Sequence, residues 1–270
     1  MIDLIVQFYK VSYNGCSEQQ NRARQDEITG CFKENLKHKA LRKIHFLYEK
    51  IDDVNFLKGE GVDIDDERIV LYNLGSRLRY SDVIKYANTH LQDRVCVYLH
   101  SDMVLERGFE LLGSDYKDDV VYALTSHNPD RCNRNLICHC TRQFRTSRGW
   151  YGVTYDGFVF KSGIDEKIYE MTDYLMNHFG AENLLIYSFK KLGYRVLSPN
   201  NKLMAFHFHR VKVFNNVQHK FWINADKELK PMDYYSNIHR TQNNKRWEDK
   251  IVGGGLPFFM GSSEIVDTLV

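Results

Sequence analysis

The sequence predicts an α/β protein in which a Rossmann-like mixed sheet is flanked by helices. Short apolar runs alternate along the chain with longer amphipathic stretches, which is the pattern of a layered sheet with crossover helices. The nearly continuous apolar run at residues 94–99 indicates a strand that is covered on both faces. The chain has 270 residues, 43% of them hydrophobic, which is enough for one large domain with a substantial core.

The individual elements follow from periodicity and turn signals. Strands are predicted at residues 2–9, 43–48, 68–72, 94–99, 120–125, 155–160, 194–197 and 204–209. Helices are predicted at residues 20–34, 80–88, 165–178 and 182–192. Ser81 is the expected N-cap of the helix at 80–88, because a serine hydroxyl accepts hydrogen bonds from the free amides of a helix start. We expect one domain over residues 1–210, with residues 211–270 as an extension packed on it.

Charge and cysteine usage exclude several classes of protein. Lys plus Arg number 37 against 35 Asp plus Glu, and this balance argues against a dedicated DNA-binding or membrane-surface protein. We find no apolar run near the roughly 20 residues that cross a bilayer, and no signal-peptide pattern at the start. The six cysteines do not resemble the framework of a small secreted domain. Reduced thiols and a cytoplasmic location are therefore expected, with Cys31 and Cys96 as small apolar side chains of the core.

Three polar residues, His100, Ser101 and Asp102, end the covered strand at 94–99. Ligands of open α/β sheets bind beyond the carboxyl ends of strands. If the chain stays extended, alternation places His100 and Asp102 on the same side. Asp102 is therefore a candidate metal ligand. The alternative is that Asp102 caps a helix over residues 103–112.

A second candidate group is formed by His207 and His209, which are two positions apart on a predicted strand and share a face. One carboxylate together with one or two imidazoles suits a borderline cation such as Mn²⁺. Glu182 is a third candidate, because it lies in the first turn of a predicted helix. That position has two interpretations: the carboxylate stabilises the helix start, or it acts as a general base.

A set of short segments carries a wider resemblance. They are Arg24-Gln25-Asp26-Glu27, Lys33-Glu34-Asn35-Leu36, Arg77-Leu78-Arg79-Tyr80-Ser81-Asp82, Tyr86-Ala87-Asn88, His100-Ser101-Asp102, Gly180-Ala181-Glu182-Asn183, Gly193-Tyr194-Arg195-Val196 and His207-Phe208-His209. In this order the set resembles GT-A glycosyltransferases, which use nucleotide sugars, and more distantly exostosin-type transferases. The resemblance covers residues 2–210. It implies a single-domain GT-A fold whose residues 1–210 bind the nucleotide sugar and the acceptor.

The resemblance also implies roles for the charged residues. Asp102 matches the metal-binding Asp of the Asp-x-Asp motif, and His100 stands where that motif has its first Asp. A late histidine, His207 or His209, would complete the metal shell. Glu182 matches the acidic pair that supplies the base in inverting members, although Asn183 replaces the second acid.

Other assignments stay at the level of candidates. Asp156 is the competing carboxylate for the role of base. Phe8 and Tyr9 match the region that holds the base and ribose of the donor. The full set of implied donor-binding residues is Phe8, Tyr9, Arg79, Asp82, His100 and Ser101.

These residues together predict a metal-dependent hexosyl- or pentosyltransferase. It would move a sugar from a nucleoside-diphosphate sugar, with UDP as the commonest nucleotide, to a hydroxyl of an oligosaccharide or glycoprotein. Mn²⁺ or Mg²⁺ would neutralise the departing diphosphate, and one carboxylate base would take the proton of the attacking hydroxyl with inversion. Neither nucleic acid nor a membrane span is expected.

Three other interpretations stay open. A zinc-binding module could use Cys132, Cys138, His139 and Cys140, although the spacing departs from the usual paired C-x2-C arrangement. A nucleotidyltransferase also binds nucleotides at a sheet edge, but residues 8–20 lack its Gly-rich phosphate loop. An inactive binding protein would explain the departures at His100 and Asn183. The Arg-rich stretch at 131–148 is either a solvated loop or a binder of the diphosphate or of an anionic acceptor.

Overall fold

A computed structural model describes residues 1–113, 115–127, 155–176, 181–199, 202–208, 211, 221–223 and 229–231. Its strands are β1 (Ile2–Gln7), β2 (Leu41–Tyr48), β3 (Ile69–Asn73), β4 (Val95–Leu99), β5 (Met103–Arg107), β6 (Val120–His127), β7 (Tyr155–Lys161), β8 (Arg195–Leu197), β9 (Met204–His207), β10 (Phe221–Ile223) and β11 (Leu229–Pro231). Its helices are α1 (Glu18–Leu36), α2 (Ile51–Gly59), α3 (Tyr80–His90), α4 (Ile168–Met171) and α5 (Ala181–Lys191), with a 3-10 turn at Phe109–Leu111.

Among the described residues, nine strands form one mixed sheet in the order β3-β2-β1-β4-β7-β6-β9-β5, and β8 also pairs with β6. The β1–β4 half is parallel, whereas β7 runs antiparallel to both β4 and β6. Because β7 is reversed, its first residues lie at the edge of the sheet where β4 and β6 end. The predicted α/β class, a Rossmann-like mixed sheet flanked by helices, is confirmed. Strands β10 and β11 form a separate antiparallel pair.

Each face of the sheet is covered by its own apolar core. One core joins β1, β4 and β7 to α3, α4 and α5, with Tyr80, Phe158 and Phe189 among its fully buried side chains. The other core packs α1 and α2 on the opposite face through residues such as Phe32 and Leu57. All five residues of β4 are buried, as expected of a strand between two helical layers.

Two of the three helices that later supply site residues, α1 and α3, have identifiable starts. α1 begins with a capping box, in which the Ser17 hydroxyl accepts from the amide of Gln20 and the Gln20 side chain accepts from the amide of Ser17. α3 begins after Arg79, whose amide donates to the Asp82 carboxylate at 2.9 Å. The prediction of Ser81 as the N-cap is therefore wrong. Ser81 is fully buried inside the first turn, with its hydroxyl directed to Asp173.

Two predicted helices differ in the structure. Residues 103–112 form strand β5 and a 3-10 turn instead of a capped helix, because β5 pairs with β9. Asp102 therefore precedes a strand, and its interpretation as a helix cap is wrong. The helix predicted at 165–178 is reduced to Ile168–Met171 among the described residues. The last predicted strand ends at His207, and His209 lies outside the described residues.

Other expectations are met only in part. Cys31 and Cys96 are buried free thiols, as predicted. Within the described part of the chain, no helix combines the length and the apolar character that a membrane span requires. Most of residues 211–270 fall outside the described residues, so the boundary at 210 stays a prediction. The same is true of the Arg-rich stretch at 131–148 and of the zinc module around Cys132.

Candidate functional site

Acidic and imidazole side chains from several elements meet at the edge of the sheet where β4 ends. His100 and Asp102 follow β4, Asp156 is the second residue of β7, Glu182 is the second residue of α5 and His207 ends β9. We call these five residues the strand-end cluster. The chain turns at Ser101, so His100 and Asp102 come together through a turn and not through strand alternation.

Asp102 is the most heavily bonded carboxylate of the cluster. Its Oδ2 accepts from Nη2 of Arg24 and, at 2.9 Å, from Nε2 of His207. The Asp102 carbonyl also accepts from the amide of Phe208 at 2.8 Å, which continues the pairing of β5 with β9. The Asp102 side chain is only 8% exposed. Its negative charge is therefore compensated inside the protein.

The hydrogen bond to Asp102 changes the pKa of His207. Burial by itself lowers the pKa of His207, but the charge of Asp102 and the hydrogen bond to it outweigh burial and raise the pKa to about 9. At neutral pH the imidazole is therefore protonated. A metal ion that bound this nitrogen would have to displace the proton.

The second half of the cluster is formed by His100, Asp156 and Glu182. His100 lies 3.9 Å from Asp156 through Nδ1 and 4.0 Å from Glu182 through Nε2. Ser126 donates its hydroxyl to Asp156. Burial lowers the pKa of His100, so the imidazole is neutral at pH 7. Among the described residues no Lys or Arg pairs with Asp156 or Glu182, and the cation beside this half is His207, whose Nδ1 lies 4.0 Å from Asp156 Oδ2.

Glu182 has the most altered acidity of the carboxylates. Burial at the start of α5, followed by the negative charge of Asp156, raises the pKa of Glu182 to about 8. The Tyr80 hydroxyl, which donates to Glu182 Oε1 at 3.3 Å and lies 3.5 Å from His100 Nε2, acts in the opposite direction. A carboxyl group with a pKa near neutrality can both accept and return a proton, which suits acid–base chemistry.

Gly157 allows these groups to come close. A Cβ at Gly157 would lie 2.5 Å from Leu99 Cδ2 and 3.0 Å from the Tyr98 carbonyl oxygen. Only a glycine therefore lets the start of β7 pack this tightly on the end of β4. The neighbouring Asp156 is held beside His100 by the same approach, through the bond from the His100 amide to the Asp156 carbonyl at 3.1 Å.

The chemistry of the cluster fits a divalent cation in two arrangements. Asp102 with His207 offers a carboxylate and an imidazole, the donors that suit Mn²⁺. His100, Asp156 and Glu182 also place ligand atoms within 4.8 Å of one another. The first arrangement must accommodate the Arg24 guanidinium and the second must deprotonate Glu182, so the two are chemically distinguishable.

The predicted donor-binding residues lie in different settings. Phe8 is fully buried, and its ring packs against the rings of Phe32 and Phe46 at 6.0 and 5.8 Å. Tyr9 is partly exposed, and its hydroxyl bonds that of Tyr13 at 2.9 Å. Phe8 thus contacts the core, whereas Tyr9 and its partner Tyr13 are partly exposed aromatic residues after β1.

The remaining predicted donor contacts lie at turns. Arg79 pairs with Asp173 at 2.9 Å, and Asp82 bonds the Arg79 amide, so both help to hold the start of α3. Ser101 is partly exposed in the turn between β4 and β5. The structure therefore brings His100, Asp102, Asp156, Glu182 and His207 together, while Arg79 and Asp82 have structural partners of their own.

Two members of the site were missed by sequence reasoning. Arg24 belongs to a segment that was noted only for its resemblance, and it bonds a carboxylate 78 positions away. Tyr80 also belongs to one of the segments that carry the resemblance, where it has no assigned role, yet its hydroxyl reaches Glu182 across 102 positions. A local signal did exist for Arg24: an arginine in the middle of a buried helical face needs a buried acidic partner.

Comparisons with known proteins add the following. No protein-family model matches the sequence, and neither does any curated protein. Among solved structures, HddC from Yersinia pseudotuberculosis is 12% identical with a TM-score of 0.40, over 64% of this chain and 81% of HddC. The inositol-1-phosphate CTP transferase from T. maritima is 10% identical with a TM-score of 0.45, over 77% of this chain and 89% of the chain of that transferase.

A third similar structure is the mannosyltransferase PcManGT from Pyrobaculum calidifontis in complex with GDP-Man and Mn²⁺. It is 12% identical with a TM-score of 0.45, over 79% of this chain and 58% of PcManGT. At these identities and TM-scores the similarities carry no argument about what this chain binds. Its function has to be argued from the strand-end cluster itself.

Proposed function

We propose that this chain is a glycosyltransferase with a GT-A-type fold. It would transfer a sugar from a nucleoside-diphosphate sugar, with a UDP-sugar as the first candidate, to a hydroxyl of an oligosaccharide or glycoprotein. A divalent cation, Mn²⁺ or Mg²⁺, would assist. The proposal is supported by one observation above all: the cluster contains two carboxylates in opposite states, Asp102 ionised among cations and Glu182 with a pKa of about 8.

This pair of states matches the two needs of sugar transfer. The departing diphosphate gains negative charge, which requires cationic surroundings. The acceptor hydroxyl loses a proton, which requires a carboxylate that is free to take it. Arg24, Asp102 and His207 form the charged end of the site, and Glu182 with Tyr80 forms the proton-transfer end.

The need for one carboxylate that remains free to act as the base determines where we propose that the cation binds. If His100, Asp156 and Glu182 held the cation, every carboxylate of the cluster would be engaged and none would be left as a base. We therefore place the cation at Asp102 and His207, with His209 as a further candidate ligand. The cation would supply Lewis-acid neutralisation of the diphosphate.

The chain's own residues carry the rest of the mechanism. In its ionised form, which predominates only above about pH 8, Glu182 accepts the proton of the acceptor hydroxyl. A single base of this kind implies inversion at the sugar carbon. Asp156 is the alternative base, because it lies in the same half of the cluster. Neutral His100, between the two, can donate a hydrogen bond to a sugar or phosphate oxygen without a net charge. Tyr9 and Ser101, which are both partly exposed, are the proposed contacts for the nucleoside.

A thermal-shift screen of UDP-, GDP- and CMP-sugars, with and without Mn²⁺, tests the proposal, because a ligand that binds only the native state raises the melting temperature. We expect at least one nucleotide sugar to raise it only when Mn²⁺ is present, and the nucleoside diphosphate to be released. Glu182→Gln should keep that thermal shift and lose turnover by about 10²-fold or more. Asp156→Asn is the matched comparison; if it alone loses turnover, Asp156 is the base.

The same experiment separates the competing functions. Pyrophosphate released from a nucleoside triphosphate and a sugar 1-phosphate would identify a nucleotidyltransferase. A thermal shift without any product would identify an inactive binding protein. A full screen with neither shift nor product would remove the proposal.

A further inference from the structure

The charged end of the site contains one buried cation that takes no part in the proton transfer. Arg24 lies on α1, and its side chain is 5% exposed. A guanidinium stays charged at any physiological pH, so its charge must be compensated where it lies. The contacts of Arg24 show which residues do so.

The guanidinium joins three separate parts of the chain. Its Nη2 donates to Asp102 Oδ2, and its Nη1 donates to Glu27 Oε2 at 2.8 Å and to the Phe208 carbonyl at 2.9 Å. Glu27 in turn accepts from the amide of Val211 at 3.2 Å. α1 therefore binds both the turn that holds Asp102 and the segment that follows His207.

The charge of Arg24 bears directly on any cation at Asp102. The oxygen that accepts from Arg24, Oδ2, is also the oxygen that accepts from His207. A divalent ion bound by Asp102 and His207 would thus share its carboxylate with a fixed positive charge. In surroundings this buried, like charges a few ångströms apart repel strongly.

We infer that Arg24 sets the cation affinity of the strand-end cluster, by holding Asp102 as a built-in counter-ion with which a divalent ion must compete. The inference rests on the proposed cation site at Asp102 and His207. Arg24 acts through its bond to Asp102, so it is a positioning residue. It keeps the carboxylate ionised and oriented in the absence of metal, at the expense of metal affinity.

The test is a titration of the full chain with Mn²⁺ alone, followed through the electron paramagnetic resonance signal of free Mn²⁺. Arg24→Gln removes the charge and should lower the Kd for Mn²⁺ by about tenfold or more, since the competing cation is gone. Arg22→Gln is the matched control: Arg22 lies on the same helix, its side chain is 55% exposed and it pairs with Asp26, so its Kd should equal that of the unaltered chain. An unchanged or raised Kd in Arg24→Gln overturns the inference.

A second variant keeps the test decisive if Arg24→Gln does not fold. Arg24→Lys retains the charge but cannot reach all three acceptors, and we expect its Kd to stay within about threefold of the unaltered value. A tenfold weaker affinity would mean that Arg24 acts through geometry and not charge, which also overturns the inference.

Asp102→Asn separates this inference from the proposed function. If Asp102→Asn leaves Mn²⁺ binding unchanged, the cation is not held at Asp102, and the proposed cation site fails together with the role of Arg24. If Asp102→Asn abolishes binding while Arg24→Gln does not tighten it, only the role of Arg24 fails.

Discussion

Replacing Glu182 by Gln should stabilise the protein at alkaline pH and not at acid pH. The pKa of Glu182 rises from its ordinary 4.5 to about 8 in the folded chain, so the folded state holds this proton more tightly than the unfolded state. The contribution of the Glu182 carboxyl to the free energy of unfolding is fully present below pH 4.5, falls as the pH rises and is lost above about pH 8. The difference corresponds to about 3–5 kcal/mol, at 1.36 kcal/mol for each pKa unit. Gln cannot ionise and avoids this penalty.

The assay is thermal unfolding of both proteins at pH 5 and at pH 9. For a chain of this size about 3–5 kcal/mol corresponds to a rise in melting temperature on the order of 10 °C at pH 9, and almost none at pH 5. Glu18→Gln is the control, because Glu18 is an exposed glutamate in the first turn of α1 and should show no comparable pH-dependent gain. An equal gain at both pH values, or none at pH 9, would refute the reasoning that burial governs Glu182.

Three further changes test the packing and the charge balance of the structure. Gly108→Ala should lower the free energy of unfolding by about 3 kcal/mol or more, because Gly108 has a φ of +90° and an added Cβ would collide with the Lys202 carbonyl oxygen. A small change of the melting temperature in thermal unfolding would contradict this close backbone approach. Gly30→Ala, inside α1 with nothing within 4 Å of the added Cβ, should instead raise stability by about 0.5–1 kcal/mol in denaturant unfolding, and a loss would mean that the helix packs more tightly than described. Asp102→Ala should cost about 3–5 kcal/mol in the same assay, since it leaves Arg24 charged and buried without its main partner, and the Arg24→Met, Asp102→Ala double variant should recover part of that loss.

The fold was largely predictable because its helices and strands carry strong local signals. α5 was predicted at 182–192 and lies at Ala181–Lys191, since its apolar residues recur at helical spacing throughout. Strand β5 was not predictable in the same way. It is stabilised by pairing with β9, and Leu105 pairs with Ala205 across 100 positions. Single-sequence patterns do not contain that partner.

The candidate site was predictable in composition and not in arrangement. Asp102 and Glu182 were predicted as site residues because they lie after the carboxyl end of β4 and in the first turn of α5. Such positions face the edge of a sheet where ligands bind. Their opposite states depend on neighbours that only the fold supplies. Arg24 compensates Asp102, whereas Glu182 is buried beside Asp156 with a tyrosine hydroxyl as its donor.

The reversed direction of β7 has a consequence for how this protein could diversify. β6 ends at His127 and β7 begins at Tyr155, and because the two strands are antiparallel both points lie at the same margin of the sheet, next to Asp156. A change in the number of residues between these two points would leave the strand order intact, because the pairing of β6 with β7 is made entirely outside that stretch.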